Sequence, residues 1–568
     1  MQYWNPQRSA ATNYVNDVGD KIDMSVRGSS LLLSGVLMLM LSVSNSAMAV
    51  SGHVYLNDPS AGDSTASRIG LEGIVVSNGV DVTRTLASGY YAIEDSDKED
   101  VGEFIFVTRQ AGYATDQWFK PVSAESVDFV MYKVVEDSPT DEAIFFIHLS
   151  DSHVYDQPED FLIYSSPQVP WFIPEFVYNL IAVELLEKQY GDEVIDELRH
   201  ELKLAGRIPE SEAYFDRTVY AAYSSYLRQQ GLNELDGTIR AAFSEINGLT
   251  PDFVINTGDL ILESNRGTAQ AIQRWFDYYR DIEKTIEAPV YNTIGNNELA
   301  GTERDDFLPS QQGYGKRLFK KNLGPTHFSF DYGQYHFVAL DTHSKVIQSD
   351  ALPDEDQYWN YGKMTREISQ WLDQDLRVHQ NQTLVVLNHE PFHLDPSWPF
   401  DEDQSADDDG LFAMHRVEYV LSGHTHYRSH QRIDGIEHLT TGALSGMRWV
   451  LPASIHERGY RMFYSLGREL VSIWKPLAAS TIEFVEPQLA DKDRLVFAAI
   501  DSREAFVSVS VKTSAGATIG AIDLKQLNPY FYEFSKASLP QDITDTAVTI
   551  IAVSSSGQIV KKSLSLPE

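Results

Sequence analysis

The sequence predicts an α/β domain in the middle of the chain, with an all-β region on each side of it. Nearly continuous apolar runs recur between residues 144 and 421, and helical patterns separate several of them. Such runs are typical of strands in a sheet that is covered on both faces. Short β-prone runs closed by Gly, Asn and Asp fill the two ends of the chain. Together these patterns favour an α/β fold between two β-sandwiches.

Six apolar runs predict the strands of the central domain. The first reads Ile-Phe-Phe-Ile-His-Leu, and polar residues follow each run directly. The runs cover residues 144–149, 252–256, 290–294, 336–340, 383–387 and 417–421.

Residues 157–247 interrupt this rhythm and predict a helical insertion. Phe176, Val177, Leu180 and Ile181 recur at helical spacing, and Gly191 closes the run. Such stripes usually belong to a hydrophobic core, and a cap over an active site is the alternative interpretation.

The chain therefore divides into four predicted regions. Residues 1–49 form an N-terminal extension with a targeting segment, and residues 50–138 form a β-sandwich. Residues 141–468 hold the α/β domain with its insertion. Residues 469–568 form a C-terminal β-sandwich, as the alternation of Val507, Val509 and Val511 with serines indicates.

The N-terminal segment resembles a secretory signal peptide. Arg27 precedes the apolar run of residues 31–43, and Ala47-Met48-Ala49 fits a small-x-small cleavage site. An uncleaved membrane anchor is the alternative, but this run is shorter than the ~20 residues that span a bilayer. We therefore expect a periplasmic or secreted protein whose mature form has no transmembrane segment.

Charge and composition exclude several classes of function. The formal net charge is −37, which disfavours a non-specific nucleic-acid-binding surface. The chain has no cysteine, so disulfides, thiolate nucleophiles and Cys-ligated zinc are excluded. An anionic substrate would need local positive charge, which bound metal ions could supply.

Five polar motifs follow the predicted strands in an order that indicates a metal site. The carboxyl ends of parallel strands meet at one rim of a sheet, so these side chains are expected to lie together. Any one motif is weak evidence, whereas five in this arrangement are strong evidence. The motifs are Asp151-Ser152-His153, Gly258-Asp259, Gly295-Asn296-Asn297-Glu298, Asn388-His389-Glu390 and Gly423-His424-Thr425-His426.

These motifs resemble those of the calcineurin-like metallophosphoesterases, over residues 143–465 apart from the insertion. The resemblance implies a metallophosphoesterase-type β-sandwich with flanking helices. The chain is similar to exported bacterial members of this family that carry further β-sandwich domains at both ends. Leu262 occupies the position where purple acid phosphatases have a tyrosine ligand, so that branch is a poor match.

The resemblance also implies two divalent metal ions and their ligands. Nitrogen and oxygen donors of this kind suit Mn, Fe or Zn. Asp259 resembles the carboxylate that bridges the two ions. The ligands implied for the first ion are Asp151, His153 and His426, and those for the second are Asn296, His389 and His424.

Asn297 departs from the family pattern, which has a histidine at this position to assist the leaving oxygen. Asn can donate a hydrogen bond but is not a general acid near neutral pH. His343 or His393 could replace the missing imidazole, and each could equally be an ordinary surface or supporting residue. Asn297 and His343 are therefore the two candidate catalytic residues beside the metal ligands.

The expected function is metal-dependent hydrolysis of phosphate esters, with phosphodiesters preferred. The substrate is a small phosphate ester or a component of the cell envelope. The alternative is a weakly catalytic metal-binding module whose flanking sandwiches bind carbohydrate, envelope or protein.

Overall fold

The computed structural model is rich in strands and poor in helices. The predicted targeting segment up to residue 48 and most of the predicted insertion, residues 155–236, lie outside the described residues. Within the described ranges, no helix combines the length and the apolar character that a bilayer span needs. The structure describes residues 49–57, 69–94, 103–110, 112–115, 117–122, 126–133, 143–154, 237–262, 264–302, 306–347, 357–360, 362–392, 410–445, 458–478, 482–485, 494–499, 506–513, 516, 518–521, 525–535, 547–554, 557 and 559–565.

The N-terminal region consists of two small sheets. Its strands are β1 Ala49–Leu56, β2 Ile69–Gly70, β3 Val75–Ser77, β4 Val82–Arg84, β5 Tyr90–Glu94, β6 Phe104–Val107, β7 Tyr113–Ala114, β8 Phe119–Pro121 and β9 Phe129–Lys133. One sheet has the order β2-β1-β9-β7, with β5 also paired to β1, and the other has the order β4-β3-β6-β8. Val54, Val76 and Phe129 are buried in the core that these sheets share, as expected for the inward residues of a small sandwich.

The central region alternates strands and helices, as the sequence predicts. Two short 3-10 turns, Ser264–Arg266 and Asn296–Glu298, follow β11 and β12. The elements are β10 Phe145–Leu149, α1 at residues 237–249, β11 Phe253–Asn256, α2 Ala269–Glu283, β12 Val290–Asn292, α3 Arg317–Leu323, β13 Phe328–Tyr332, β14 Tyr335–Ala339, β15 Ser344–Ile347, β16 Gln357–Asn360, α4 Arg366–Val378, β17 Thr383–Leu387, α5 Leu411–His415, β18 Tyr419–Ser422, β19 Ser429–Ile433, β20 Ile436–Thr440, β21 Gly459–Leu466 and β22 Glu469–Pro476.

These strands form two mixed sheets. The first has the order β12-β11-β10-β21-β22, and the second has the order β13-β14-β17-β18-β20-β19. Strands β10, β11 and β12 run parallel to one another, as do β14, β17, β18 and β20. Antiparallel strands close both edges of the second sheet and the β22 edge of the first, and β15 pairs with β16 in a separate hairpin.

The side chains of strand β10 pack on both faces of the first sheet, and one face meets the second sheet. Phe146 lies between them, where it stacks on Phe463 at 4.7 Å and meets the edge of Phe337 from the second sheet at 5.5 Å. Phe145 and Ile147 point the other way, into the core that includes α1 and α2. Because successive strand residues face opposite sides, a strand covered on both faces must be apolar at nearly every position.

The described part of the predicted insertion is helix α1, which packs on the first sheet. Ile239, Phe243 and Ile246 are buried in the same core as Trp275 of α2. The expected boundary at residue 468 falls in the turn between β21 and β22, which pair over their whole length. Both strands therefore lie in the first sheet.

Strand β20 was not among the six predicted strands, although it is a buried parallel member of the second sheet. Its sequence, Ile-Glu-His-Leu-Thr, carries Glu437 and His438 at its centre and so lacks an apolar run. Glu437 is buried and paired with His430, at 2.8 Å, and with Arg432, at 3.4 Å. These partners are contributed by the adjacent strand β19, which the local sequence pattern does not show.

The described residues of the C-terminal region form two four-stranded sheets, with orders β23-β24-β28-β27 and β26-β25-β29-β30. Tyr530 and Phe531 attach this region to the first central sheet, since both pack on Phe145, with ring centroids 5.3 and 6.2 Å away. The strands are β23 Ile482–Val485, β24 Arg494–Ala499, β25 Phe506–Thr513, β26 Thr518–Ala521, β27 Lys525–Gln526, β28 Phe531–Ser535, β29 Ala547–Ser554 and β30 Ile559–Ser565.

The N-terminal region is joined to the second central sheet by polar contacts around Trp371 of α4. The Trp371 indole donates to Ser77 Oγ at 3.0 Å, and His327 Nε2 lies 2.8 Å from the carbonyl oxygen of Gly79. His327 also packs edge-on against Trp371. The side chains that make these contacts are buried, so the two regions pack against each other through an ordered interface.

A buried histidine ties α4 to the hairpin of β13 and β14. His336 Nδ1 lies 2.7 Å from Asp331, and its Nε2 lies 2.7 Å from Asp375. Burial alone lowers the pKa of His336, but Asp375 and Asp331 outweigh it and raise the pKa to about 9. His336 is therefore a buried cation held by two carboxylates at neutral pH.

His336 with Asp331 and Asp375, called the His336 clamp below, predicts a loss of stability at alkaline pH. The pKa of His336 is higher in the folded protein than the unfolded value of about 6.5. The contribution of protonated His336 to the free energy of unfolding is therefore complete below pH 6.5 and is lost as pH rises through about 9. We expect His336→Gln to remove about 3 kcal/mol of pH-dependent stability between these limits. The measurement is urea unfolding with a chelator present, at pH 6 and pH 10.

His327→Gln is the matched control, because burial lowers the pKa of His327 to about 4 and it is neutral across this range. If the free energy of unfolding changes by the same amount between pH 6 and pH 10 in wild type and in His336→Gln, then His336 is not a buried cation.

Candidate metal centre

The predicted ligand residues all follow parallel strands of the two sheets. Asp151 and His153 come after β10, Asp259 after β11 and Asn296 after β12 in the first sheet. The second sheet contributes the remaining three ligands, which are His389 after β17 and His424 and His426 after β18. Both sheets therefore present their carboxyl ends at one rim.

One half of the site is formed by Asp151, His153 and His426. His426 Nε2 lies 3.2 Å from Asp151 Oδ1 and 3.1 Å from His153 Nε2. His153 Nε2 is 3.8 Å from both Asp151 Oδ1 and Asp259 Oδ2. Three potential ligand atoms in this half lie within 4.8 Å of one another.

The other half is formed by Asn296, His389 and His424. Asn296 Oδ1 lies 3.1 Å from His389 Nε2 and 3.0 Å from His424 Nδ1. The two imidazole nitrogens are 3.3 Å apart, and His389 Nε2 is 3.2 Å from Asp259 Oδ1. Asp259 therefore has one oxygen toward each half.

This donor set fits divalent cations. In the tautomer of His389 that donates from Nδ1, Nε2 carries only a lone pair, and it faces two oxygen acceptors, Asn296 Oδ1 at 3.1 Å and Asp259 Oδ1 at 3.2 Å. Burial lowers the pKa of His153 to about 4, so its ring is neutral and able to ligate metal at neutral pH. His389 Nδ1 lies 2.8 Å from the Thr257 carbonyl, which leaves Nε2 free to face the site.

Backbone strain is concentrated at these ligands. Nine described residues other than glycine have a positive φ, and five of them are predicted ligands. Left-handed backbone disfavours side chains and persists where the surroundings over-determine it, often at functional sites. The five, with φ between 47° and 67°, are Asp151, His153, Asp259, His424 and His426.

Hydrogen bonds between loops hold this strained backbone. The Asp151 N–H donates to Gly258 O at 3.0 Å, and the His153 N–H donates to Asp259 O at 2.9 Å. Ser445 closes the loop from the other side, since its hydroxyl donates to Asp151 O at 2.7 Å. A side chain at Gly423 would force its neighbours to move, because a Cβ would lie 1.8 Å from Ser150 Oγ and 2.7 Å from Ser150 Cβ.

Asn297 supports the central carboxylate. Its backbone N–H donates to Asp259 Oδ1 at 2.8 Å, and its Nδ2 donates to Asp259 Oδ2 at 2.7 Å. The same Nδ2 is 3.3 Å from His153 Nδ1. Asn297 therefore lies against the central carboxylate and against His153 of the first half.

His343, the other candidate catalytic residue, has buried partners. Its Nε2 lies 2.7 Å from Glu390, and its Nδ1 lies 3.4 Å from Asp341. Burial lowers the pKa of His343, but these two carboxylates outweigh that effect and raise the pKa to about 9. Its side chain is fully buried. His393, the remaining alternative, lies outside the described residues.

A third group of possible ligands, Asp331, His336 and His379, is an unsuitable cation site. Both ring nitrogens of His336 already face carboxylates at 2.7 Å. The rings of His336 and His379 stack at 3.7 Å with planes 13° apart, so their in-plane lone pairs cannot converge on one ion.

The sequence patterns assigned no role to two residues that organise the site. Glu298 accepts hydrogen bonds from the N–H groups of Asp259, Leu260, Ile261 and Gly295, at 2.8 to 3.1 Å. Lys316 pairs with Asp341 at 2.7 Å beneath the site. Glu298 stood within a recognised motif, whereas no local signal marked Lys316.

Comparison with known proteins finds a family model and two relatives that this chain resembles. Residues 146–428 match the family model described as calcineurin-like phosphoesterase. Over 230 residues, 39% of this chain and 73% of the relative, the chain is 25% identical to a 3',5'-cyclic-nucleotide phosphodiesterase of Nostoc sp.. It is 26% identical over 158 residues, 28% of this chain and 51% of the relative, to a "Probable cyclic nucleotide phosphodiesterase" of Moraxella catarrhalis.

Solved structures also match this chain. A dimetal phosphatase from Danio rerio aligns with a TM-score of 0.32 and 14% identity, over 60% of this chain and 98% of that one.

Proposed function

This chain belongs to the calcineurin-like phosphoesterases through residues 146–428 and is a hydrolase; we propose that it uses two divalent metal ions and prefers phosphodiesters. The observation that carries the proposal is the convergence of seven nitrogen- and oxygen-donor residues at one buried rim. Imidazole, carboxylate and amide donors of this kind suit Mn, Fe or Zn.

We assign three ligands to each ion and place Asp259 between the ions. Asp151, His153 and His426 would hold the first ion. Asn296, His389 and His424 would hold the second. Two such ions, when bound, supply Lewis-acid charge to a phosphoryl oxygen and lower the pKa of an attacking water.

Asn297 is the basis for the diester preference. Its amide holds Asp259 and has no proton to transfer near neutral pH. The leaving alcohol must therefore depart with little proton assistance from this position, which favours esters whose oxyanions are stable. A diester also carries less negative charge than a monoester, which suits a protein of net charge −37. The relatives named as cyclic nucleotide phosphodiesterases make 3',5'-cyclic nucleotides the first natural diesters to test.

Export is a further part of the proposal. The residue after Ala47-Met48-Ala49 is Val50, which is buried in β1 of the N-terminal sandwich. Cleavage after Ala49 would therefore leave the sandwich almost complete. N-terminal sequencing of protein from the native host should begin at Val50, and a mature form that retains the 31–43 run would contradict export by this signal.

The two-ion assignment predicts that Asp259→Asn abolishes hydrolysis. Both ions lose a carboxylate oxygen, so the variant should also bind fewer than two equivalents of metal. The measurements are turnover of bis-p-nitrophenyl phosphate with added Mn²⁺ and metal content of the loaded protein. Asp281→Asn, on the surface of α2, is the matched control and should keep both. Wild type that binds fewer than two equivalents when fully loaded would refute the assignment.

Restoring the family residue tests the role of Asn297. Asn297→His should raise monoester hydrolysis by roughly one to three orders of magnitude, within or below the usual yield of a positioned acid–base group. The measurement is kcat/KM for matched aryl monoesters and diesters across a series of leaving-group pKa values. The diester preference is wrong if wild type already hydrolyses monoesters better, or if the variant gains nothing.

A further inference from the structure

We propose that each half of the metal centre is positioned by its own buried network, with His343 the positioning residue for one half and Tyr279 for the other. This inference rests on the two-ion assignment of the proposed function. It concerns residues that touch no ligand atom and act through the loops that carry the ligands.

The first network is ionic and lies behind His389 and His424. Lys316 Nζ contacts Asp341 Oδ2 at 2.7 Å and donates to the His343 carbonyl at 2.6 Å. His343 Nε2 contacts Glu390 at 2.7 Å, and the Thr342 hydroxyl donates to the other Glu390 oxygen at 2.7 Å. The network has two basic and two acidic side chains, all at most 4% exposed. Burying charges in this way is expensive unless every partner is in place.

This ionic network reaches the ligands through Glu390, which directly follows His389. The Asn388 amide donates to the Glu390 carbonyl, and the Ser422 hydroxyl donates to Asn388 Oδ1 at 2.8 Å. The Gly423 N–H donates to the His389 carbonyl at 2.9 Å. The loop of His389 and the start of the loop of His424 are thereby tied to Glu390, and Glu390 is tied to His343.

The second network is formed by uncharged groups together with one carboxylate, and it lies under Asp151 and His153. Tyr279 of α2 is fully buried, and its hydroxyl donates to Asn292 Oδ1 at 2.6 Å. The Asn256 amide lies 3.2 Å from that hydroxyl and 3.3 Å from Ser152 Oγ. Asn292 in turn donates to Glu283 at 2.5 Å. Ser152 stands between Asp151 and His153, so this chain of hydrogen bonds fixes their loop.

The two networks share no member among the described residues. Supporting groups of this kind typically change metal affinity by 10- to 100-fold when they are removed. The ionic network reaches the loop of His389 and the start of the loop of His424, whereas the Tyr279 network reaches the loop of Asp151 and His153 through Ser152. The loss of each network should therefore weaken the binding of one ion much more than that of the other. A residue with only a general role in stability would weaken both.

The experiment isolates each half and then removes its support. His426→Ala leaves the half formed by Asn296, His389 and His424, and Asn296→Ala leaves the half with Asp151 and His153. His343→Gln and Tyr279→Phe are each added to both backgrounds. The Kd for Mn²⁺ is measured by calorimetry and by the paramagnetic resonance of free Mn²⁺.

We expect His343→Gln to weaken Mn²⁺ binding by about 10- to 100-fold in the His426→Ala background and by less than about 3-fold in the Asn296→Ala background. Tyr279→Phe should show the opposite pattern. His327→Gln and Tyr335→Phe are the matched controls, because each removes a buried polar group whose partner is a backbone carbonyl outside both networks. Both controls should leave the Kd unchanged in either background.

Equal weakening in both backgrounds, or none in either, would overturn the inference. Should a ligand variant fail to fold, titration of His343→Gln in the otherwise native chain decides the question, since only one of two binding steps should shift. Selective weakening in a protein that hydrolyses no phosphate ester would count against the proposed function and leave this inference standing.

Discussion

The mutual crowding of the proposed ligand side chains is the constraint on which the rest of this structure depends. His153 and His426 bring ring nitrogens to 3.1 Å, and His389 and His424 bring theirs to 3.3 Å. Asp259 presents its oxygens to both pairs, 3.8 Å from His153 Nε2 and 3.2 Å from His389 Nε2, and a buried carboxylate is costly unless positive charge compensates it. The fold must therefore hold these side chains together, and the left-handed backbone at five of the proposed ligands reflects that requirement.

Two features of the fold meet that requirement. The core between the sheets fixes the strand ends, through contacts such as the stacking of Phe146 on Phe253 and Phe463. Hydrogen bonds between loops then fix the ligand backbone, since Glu298 gathers the N–H groups around Asp259 and Ser445 holds the carbonyl of Asp151. Packing of this density leaves little room for the ligands to relax.

The flanking regions contribute at a different place. The N-terminal sandwich packs around Trp371 and His327, on the side of the second sheet that α4 covers. The His336 clamp joins the same helix to the β13–β14 hairpin. These contacts stabilise the frame of the central domain, while the chemistry belongs to the loops at the carboxyl ends of the strands.

The sequence by itself determined six parallel strands of the central sheets and the motifs that follow them, because burial on both faces imposes a continuous apolar run. It also showed that Asn297 stands where the family has histidine. Only the tertiary structure decided what Asn297 and His343 contact, since Asp259 lies 38 residues from Asn297 and Glu390 lies 47 residues from His343. Local patterns carry the period of a strand, whereas the partner of a buried polar group depends on which distant segments the fold brings together.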